Sequence, residues 1–408
     1  MDAPQSPTIS WRKNLFFIWC SQILSMAGYS SAMPFMAIYI RDQWGITNEH
    51  ELGAWMSAFF FFGLLSFCVF MPLWGILADR YGRKRMLLRA CYVDALLFPC
   101  FLLAPNPFWL IVTRFVISIF TGTVSAAQTL IVTTTPVEHH GFALGTLSSS
   151  LWSGNLLGFA AGGLIIHYFG FTVAFFGCGF MYLLAGILAH LFVQENFTPP
   201  TREQRKKAGS VWSAMVPGTG MIFLLILISA VARRFDDPYV ALMVEKVHGP
   251  LNTAFHTGWV NALAAVGGVF SGMAIGRLCD RFSSQRVAIP ALLLSAGSMF
   301  LEAVSMTLPM YGAARFLNYL VAGGLEPVFY SMLSKVSPEN RRGTIFGMAS
   351  SLRMTGILLG SAASGFLIYS SGVRNIYMTG ALLFLLAVPC FWLTVRRLKK
   401  APAVNDGH

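Results

Sequence analysis

Gly75-Ile-Leu-Ala-Asp79-Arg80-Tyr-Gly82-Arg83-Lys84-Arg85 closes one long apolar stretch and opens the next. Two hundred and one residues later the same turn returns as Gly276-Arg-Leu-Cys-Asp280-Arg281. Arg114-Phe115 returns as Arg315-Phe316 at the same offset. Gly154, Gly158 and Gly163 return as Gly356, Gly360 and Gly365, and Gly170 as Gly372, all at an offset of 202. Pro34 and Pro238 stand at equivalent places in the first apolar stretch of each half. A near-constant offset over so many positions marks a duplicated chain. Parallel repeats of this kind in membrane proteins are related by an axis along the membrane normal, with the ligand site between them near the midplane.

Between the repeated signals lie stretches long enough to cross a bilayer, which takes about 20 mostly apolar residues. They fall near 14–40, 53–77, 86–104, 108–133, 142–167 and 171–193, then 213–243, 254–277, 286–307, 309–333, 343–369 and 374–395. A polar segment separates the sets, so the halves are 1–193 and 213–408 with a linker at 194–212. It carries Pro199-Pro200 and Arg202, Arg205, Lys206 and Lys207. The chain is 55% hydrophobic and 11% charged, against roughly 25% charged for a soluble domain.

The net charge of +12 would suit nucleic acid if it were clustered on one surface. Instead, with the N-terminus inside, 21 of the 29 basic residues fall on inside segments and three (Arg41, Lys246, Arg374) on outside loops. That is the positive-inside pattern of a membrane protein with both termini in the cytoplasm. The seven cysteines are scattered without a C-x-x-C pair, and the eight histidines show no ligand spacing. No G-x-x-x-x-G-K-[ST] loop is present. No cofactor, metal or enzymatic chemistry is expected.

The Gly75–Arg85 turn resembles the signature loop between helices two and three of the major facilitator superfamily. Gly145, Gly154, Gly158, Gly162 and Gly163 are similar to that superfamily's antiporter motif, except that Phe159 stands where Pro is usual. Arg114 resembles the arginine that assists proton transfer there, with Ser118 in place of a usual glycine. The resemblance covers the whole chain. It implies an all-α membrane protein with the major facilitator fold, twelve transmembrane helices in two pseudo-symmetric six-helix bundles. The nearest type is the twelve-helix drug/proton antiporter, which includes bacterial multidrug exporters. It implies a monomer in the bacterial inner membrane that takes a small molecule and protons. Gly75, Asp79, Arg80, Gly82 and Arg83 would form a cytoplasmic gate, with Asp79 facing the start of the eleventh helix near Gly343 and Arg83 reaching Glu138. The glycine motif would let helices five and eight pack closely. The plainer alternatives are a basic loop that only sets topology and generic glycine packing.

Charges inside spans are costly, so each marks a candidate site. Arg233-Arg234-Phe-Asp236-Asp237-Pro238 falls in the middle of the seventh span, where the first span has the neutral Tyr29-Ser-Ser-Ala-Met-Pro34. Spacing i, i+3 on a helix puts Arg233 beside Asp236 and Arg234 beside Asp237. Either these pairs simply neutralise one another, or a proton or substrate breaks one during transport. Glu326, mid-span before Pro327, and Arg353 would face the cavity from the second half and pair. Glu302 lies near an outer helix end, where it would snorkel, and Asp94 lies on a helix expected at the periphery. Tyr29, Phe35, Tyr39, Gln128, Trp152 and Asn155 are candidates to line the cavity for an amphiphilic ligand. The functional expectation is proton-coupled export of a small amphiphilic compound by alternating access. Its rival is an importer or facilitator of a small anionic or zwitterionic metabolite, which the arginines favour. A non-transporting sensor would need a soluble domain that the linker is too short to provide.

Overall fold

The computed structural model describes residues 10–197, 219–282, 284–336 and 342–400. Among them the chain is mostly helical, with no strand. Six helical passes run through the first half. They are α1 Trp11–Trp44, α2 Glu49–Tyr81, α3 Arg83–Leu103, α4 Pro107–Thr134, and α5 and α6 within His140–Phe192. The second half holds α7 over 219–248, α8 Thr253–Arg281, α9 Ser284–Val304, α10 over 308–336, α11 Arg342–Ser371 and α12 Val373–Lys400. Eight stretches among the described residues are long and apolar enough to cross a membrane. They are α1, α2, α3, α4, α5 with α6 as one stretch, α9, α11 and α12; α7, α8 and α10 are not among them.

The breaks repeat between halves, and each has a local cause. Pro34 and Pro238 each remove a backbone donor. Their helices accordingly pass through a 3-10 turn at Met33–Phe35 and at Asp237–Tyr239. Gly170 at φ 78° turns α5 into α6, and Gly372 at φ 81° turns α11 into α12. Only glycine adopts that backbone without strain. Passes α4 and α10 are interrupted at equivalent places, the first at Gly122 (φ 145°) and the second at Gly323 and Gly324. Phe159, by contrast, leaves α5 unbroken.

The described residues form two compact units. One gathers those of Met1–Gly45, Phe62–Lys206 and Ala254–Ala262; the other gathers those of Ile46–Phe61, Lys207–Thr253 and Leu263–His408. The division therefore runs through α2 and α8 as well as through the linker. Helices in lipid gain little from burying apolar groups against one another, so small residues that admit close backbone contact hold them together. In the first unit, a Cβ on Gly154 would meet the Ile23 carbonyl of α1 at 2.8 Å, and one on Gly158 the Ala27 carbonyl at 2.5 Å. Gly162 packs on Ser31 of α1, and Gly163 lies against Ala254 and Gly258 of α8. The second unit repeats the arrangement. Gly356 and Gly360 pack on Leu227 and Val231 of α7, and Gly365 packs on Ser57 of α2, whose hydroxyl donates to the Ser361 carbonyl at 2.6 Å. The glycine motif thus serves mainly the contact with α1, with only Gly163 serving the contact with α8. A Cβ on Gly145 would meet nothing within 4 Å.

Candidate functional site

Helix α7 ends its first segment at Arg234, and its 3-10 turn begins at Asp237. The intervening bend cancels the i, i+3 relation expected for Arg233 and Asp236. Asp236, 2% exposed, turns instead to Arg315 of α10, which is 1% exposed, and forms an ion pair with it. Arg315 Nη1 also lies 3.4 Å from Oε2 of Glu302 on α9, which is fully buried. Glu302 therefore does not snorkel to the surface. Residues 305–307 join α9 to α10 as a short turn, which brings Glu302 back beside Arg315 and Asn318. Asn318 Nδ2 donates to Glu302 Oε1 at 2.8 Å.

Arg234 and Asp237 do pair as their spacing implies, at 2.5 Å. Asp237 also accepts from the Tyr319 hydroxyl at 2.9 Å and stands 3.5 Å from Arg315 Nη2. Arg233 turns to Glu326 of α10, Nη1 to Oε2 at 3.5 Å, and Arg353 of α11 meets the other oxygen, Nε to Oε1 at 3.3 Å. The second unit thus joins four carboxylates (Asp236, Asp237, Glu302, Glu326) with four guanidinium groups (Arg233, Arg234, Arg315, Arg353). Buried charges are tolerated in protein only when paired and hydrogen-bonded in this manner.

The cluster has a sealed part and an open part. Arg315, Asp236 and Glu302 are enclosed. Arg233, Glu326 and Arg353 line a cavity together with Ile226, Ala230, Phe329 and Phe384. The cavity is partly open and has about 340 Å³ of empty space, its mouth included.

In the first unit, Arg114 is 7% exposed. Its Nη2 donates to the Tyr29 hydroxyl at 3.1 Å, and the guanidinium stands 5.6 Å from the Tyr29 ring centre. Gly63 of α2 makes room for it, since a Cβ there would fall 2.6 Å from Arg114 Nε. Asp94 is fully buried and accepts from Thr121 at 3.0 Å. Asn155 accepts from Ser30 at 2.5 Å, Trp152 is half-buried and Gln128 is exposed. Phe35 is fully buried, and Tyr39 packs among Trp44, Phe171 and Phe175 with its hydroxyl on the Phe101 carbonyl. Both rings are buried in the core of their unit.

At the α2–α3 turn the arrangement departs from expectation. Arg83 Nη2 turns back to Asp79, 3.2 Å away on the preceding turn, while Glu138 lies exposed. Gly343 lies among the residues whose side chains are not described. Gly82, at φ 100°, is the N-cap of α3 but has no side chain to cap with. Glu195 supplies the cap from beyond α6. Its Oε1 accepts from the Arg83 N–H at 2.9 Å and its Oε2 from the Lys84 N–H at 2.8 Å. Gly75 shows no close approach, since a Cβ there would meet nothing within 4 Å. Arg80 is exposed.

Duplicated helical halves, matched helix breaks and charges gathered inside the helical packing define a polytopic membrane transporter. A family model described as Major Facilitator Superfamily matches residues 18–249 and 222–407, and the chain belongs to that superfamily. It is 30% identical over 406 residues to the multidrug resistance protein MdtG of Salmonella typhimurium, covering 98% of this chain and 99% of that protein. MdtG of Salmonella choleraesuis matches to the same extent. Among solved structures, the POT family transporter PepTSo superposes with a TM-score of 0.76 at 13% identity, over 96% of this chain and 99% of that one. A bacterial homologue of the lysosomal transporter Spinster, inward-facing and occupied, gives 0.74 at 15% identity over 95% and 98%. The protein is a secondary transporter of the inner membrane that acts on small molecules, and it is not an enzyme.

Proposed function

We propose that the chain exports small amphiphilic organic compounds in exchange for protons, by alternating access of its two halves. The observation that carries the proton-coupled part is Arg315. Arg315 and Arg234 face three carboxylates, Asp236, Glu302 and Asp237, and two of those acids are sealed from solvent. The cluster as a whole balances, but its sealed part does not: Asp236 and Glu302 share the one sealed guanidinium of Arg315, and a buried site sheds such an excess negative charge by taking a proton. Uptake and release of that proton change the charge of α7 at the point where Pro238 interrupts it. The relatives named as multidrug resistance proteins support an exported amphiphile as the cargo. In this proposal Asp79, Arg80 and Arg83, with Gly75 and Gly82, make the cytoplasmic gate, Arg114 assists on the other half, both termini are cytoplasmic and the protein works as a monomer. The rival reading, facilitated passage of a small anion, draws on the two arginines that share Glu326.

The test is reconstitution in liposomes with an imposed pH gradient, following a fluorescent amphiphile. Accumulation driven by protons entering from the opposite face is the expected outcome, together with loss of the gradient's effect in Glu302→Gln and Asp236→Asn. Flux indifferent to the gradient in the unaltered protein would overturn proton exchange and leave facilitation.

A further inference from the structure

The open part of the cluster differs in character from the sealed part. Glu326 sits between two guanidinium groups, one at each carboxylate oxygen, at 3.5 and 3.3 Å. Charge-assisted contacts of this type are ordinarily about 2.7–2.9 Å, so Glu326 is loosely held. The three side chains, Arg233, Glu326 and Arg353, are 18%, 36% and 28% exposed. The same three are the charged groups among the residues lining the cavity, and Ile226, Leu325, Phe329 and Phe384 give it apolar walls. Other titratable groups that act on Glu326 are Arg234 from α7 and the phenol of Tyr330 from α10. No second carboxylate is among the cavity's described lining residues.

We propose that Glu326 occupies the seat of the substrate's own acidic group, and that Arg233 and Arg353 form the receptor for an amphiphilic organic acid. Its oxyanion takes the two guanidiniums as Glu326 swings aside or accepts a proton, and its apolar body lies against Phe329, Phe384 and Ile226. A guanidinium stays charged at any physiological pH and presents a planar fork that matches carboxylate, phosphonate or sulfonate oxygens. A cation entering the same cavity would meet two like charges before one opposite charge, which selects against it. This inference rests on the reading that the cavity carries the cargo and names the cargo's class.

The experiment is equilibrium binding to the detergent-purified full chain with three matched probes: naphthaleneacetate, its neutral amide and naphthylmethylamine. The expected order is acid, then amide, then amine, with the acid bound about tenfold more tightly than the amide, as one charge-assisted hydrogen bond accounts for. Arg353→Met is expected to remove that tenfold advantage, so that acid and amide bind alike. Glu326→Gln is expected to tighten the acid, a gain that misfolding cannot produce. Equal binding of acid and amide, preference for the amine, no detectable binding of the acid, or acid affinity unmoved by Arg353→Met would each overturn the proposal. Because binding is read without a gradient, its failure is separate from failure of proton coupling, which only the liposome flux reports.

Discussion

Arg315 and Asp236 form an ion pair at the break in α7, with both side chains no more than 2% exposed. Its counterpart in the other half is built from different residues. Arg114 and Arg315 each lie seven residues into the helix that carries them. Counted back from Pro34 and Pro238, the position of Asp236 is held in the first half by Ala32, which is fully buried. Arg114 is met instead by the Tyr29 hydroxyl, from the position equivalent to Arg233. The duplication thus kept the arginine in both halves and placed an aspartate two residues before the proline in one.

Removing Arg315 leaves Asp236 and Glu302 buried without their shared guanidinium. Taking one partner from a buried ion pair costs about 3–5 kcal/mol. Arg315→Met is expected to lower the unfolding midpoint in detergent by many degrees and to reduce membrane yield. Adding Asp236→Leu and Glu302→Leu to it should recover much of that stability without restoring transport. Thermal unfolding of the purified single and triple variants, followed by tryptophan fluorescence, checks both statements.

Glu195 caps α3 in trans, so its removal frees the Arg83 and Lys84 N–H groups. Loss of a helix cap costs about 0.5–2 kcal/mol. Glu195→Ala is expected to loosen the α2–α3 turn, and Glu195→Gln, which keeps acceptor oxygen, to do so less. Hydrogen exchange over residues 80–90, faster in the alanine variant than in the glutamine variant, is the measurement.

Two glycines of one motif are expected to respond in opposite directions. Gly158→Ala drives a Cβ to 2.5 Å from the Ala27 carbonyl, and such overpacking costs roughly 1–3 kcal/mol. Gly145→Ala meets nothing within 4 Å and gains roughly 0.5–1 kcal/mol of helix propensity. Unfolding midpoints of the two variants should therefore move apart, with Gly158→Ala below the unaltered protein and Gly145→Ala at or above it.

Gly63 makes the space in which Arg114 reaches Tyr29. Gly63→Ala is expected to push the guanidinium off the Tyr29 hydroxyl and depress transport by about tenfold, the worth of one charged hydrogen bond. Tyr29→Phe should lose a similar factor, and the two together little more than either, since both break one contact. Initial rates in liposomes for the single and double variants decide the matter.

Much was fixed by local pattern alone. Apolar length set the passes, the basic loops set an expected topology, and the repeated Pro34/Pro238 and Gly170/Gly372 set where helices bend, because each acts through its own backbone. The Arg234–Asp237 pair was legible from spacing alone, because three residues of separation keep the two side chains within reach even across the bend. The pairing of Arg233 with Asp236 was not, because the bend before Pro238 rotates Asp236 out of the face that helical spacing assigns it. Glu302 read as a surface residue because its depth along α9 says nothing of the helix beside it. That Arg315 repeats Arg114 was the one available hint that a partner was needed. Which acid meets which arginine depends on how helices far apart in the chain pack, and that only the tertiary structure decides. The same holds for Glu195, which lies more than a hundred residues from the two N–H groups it caps.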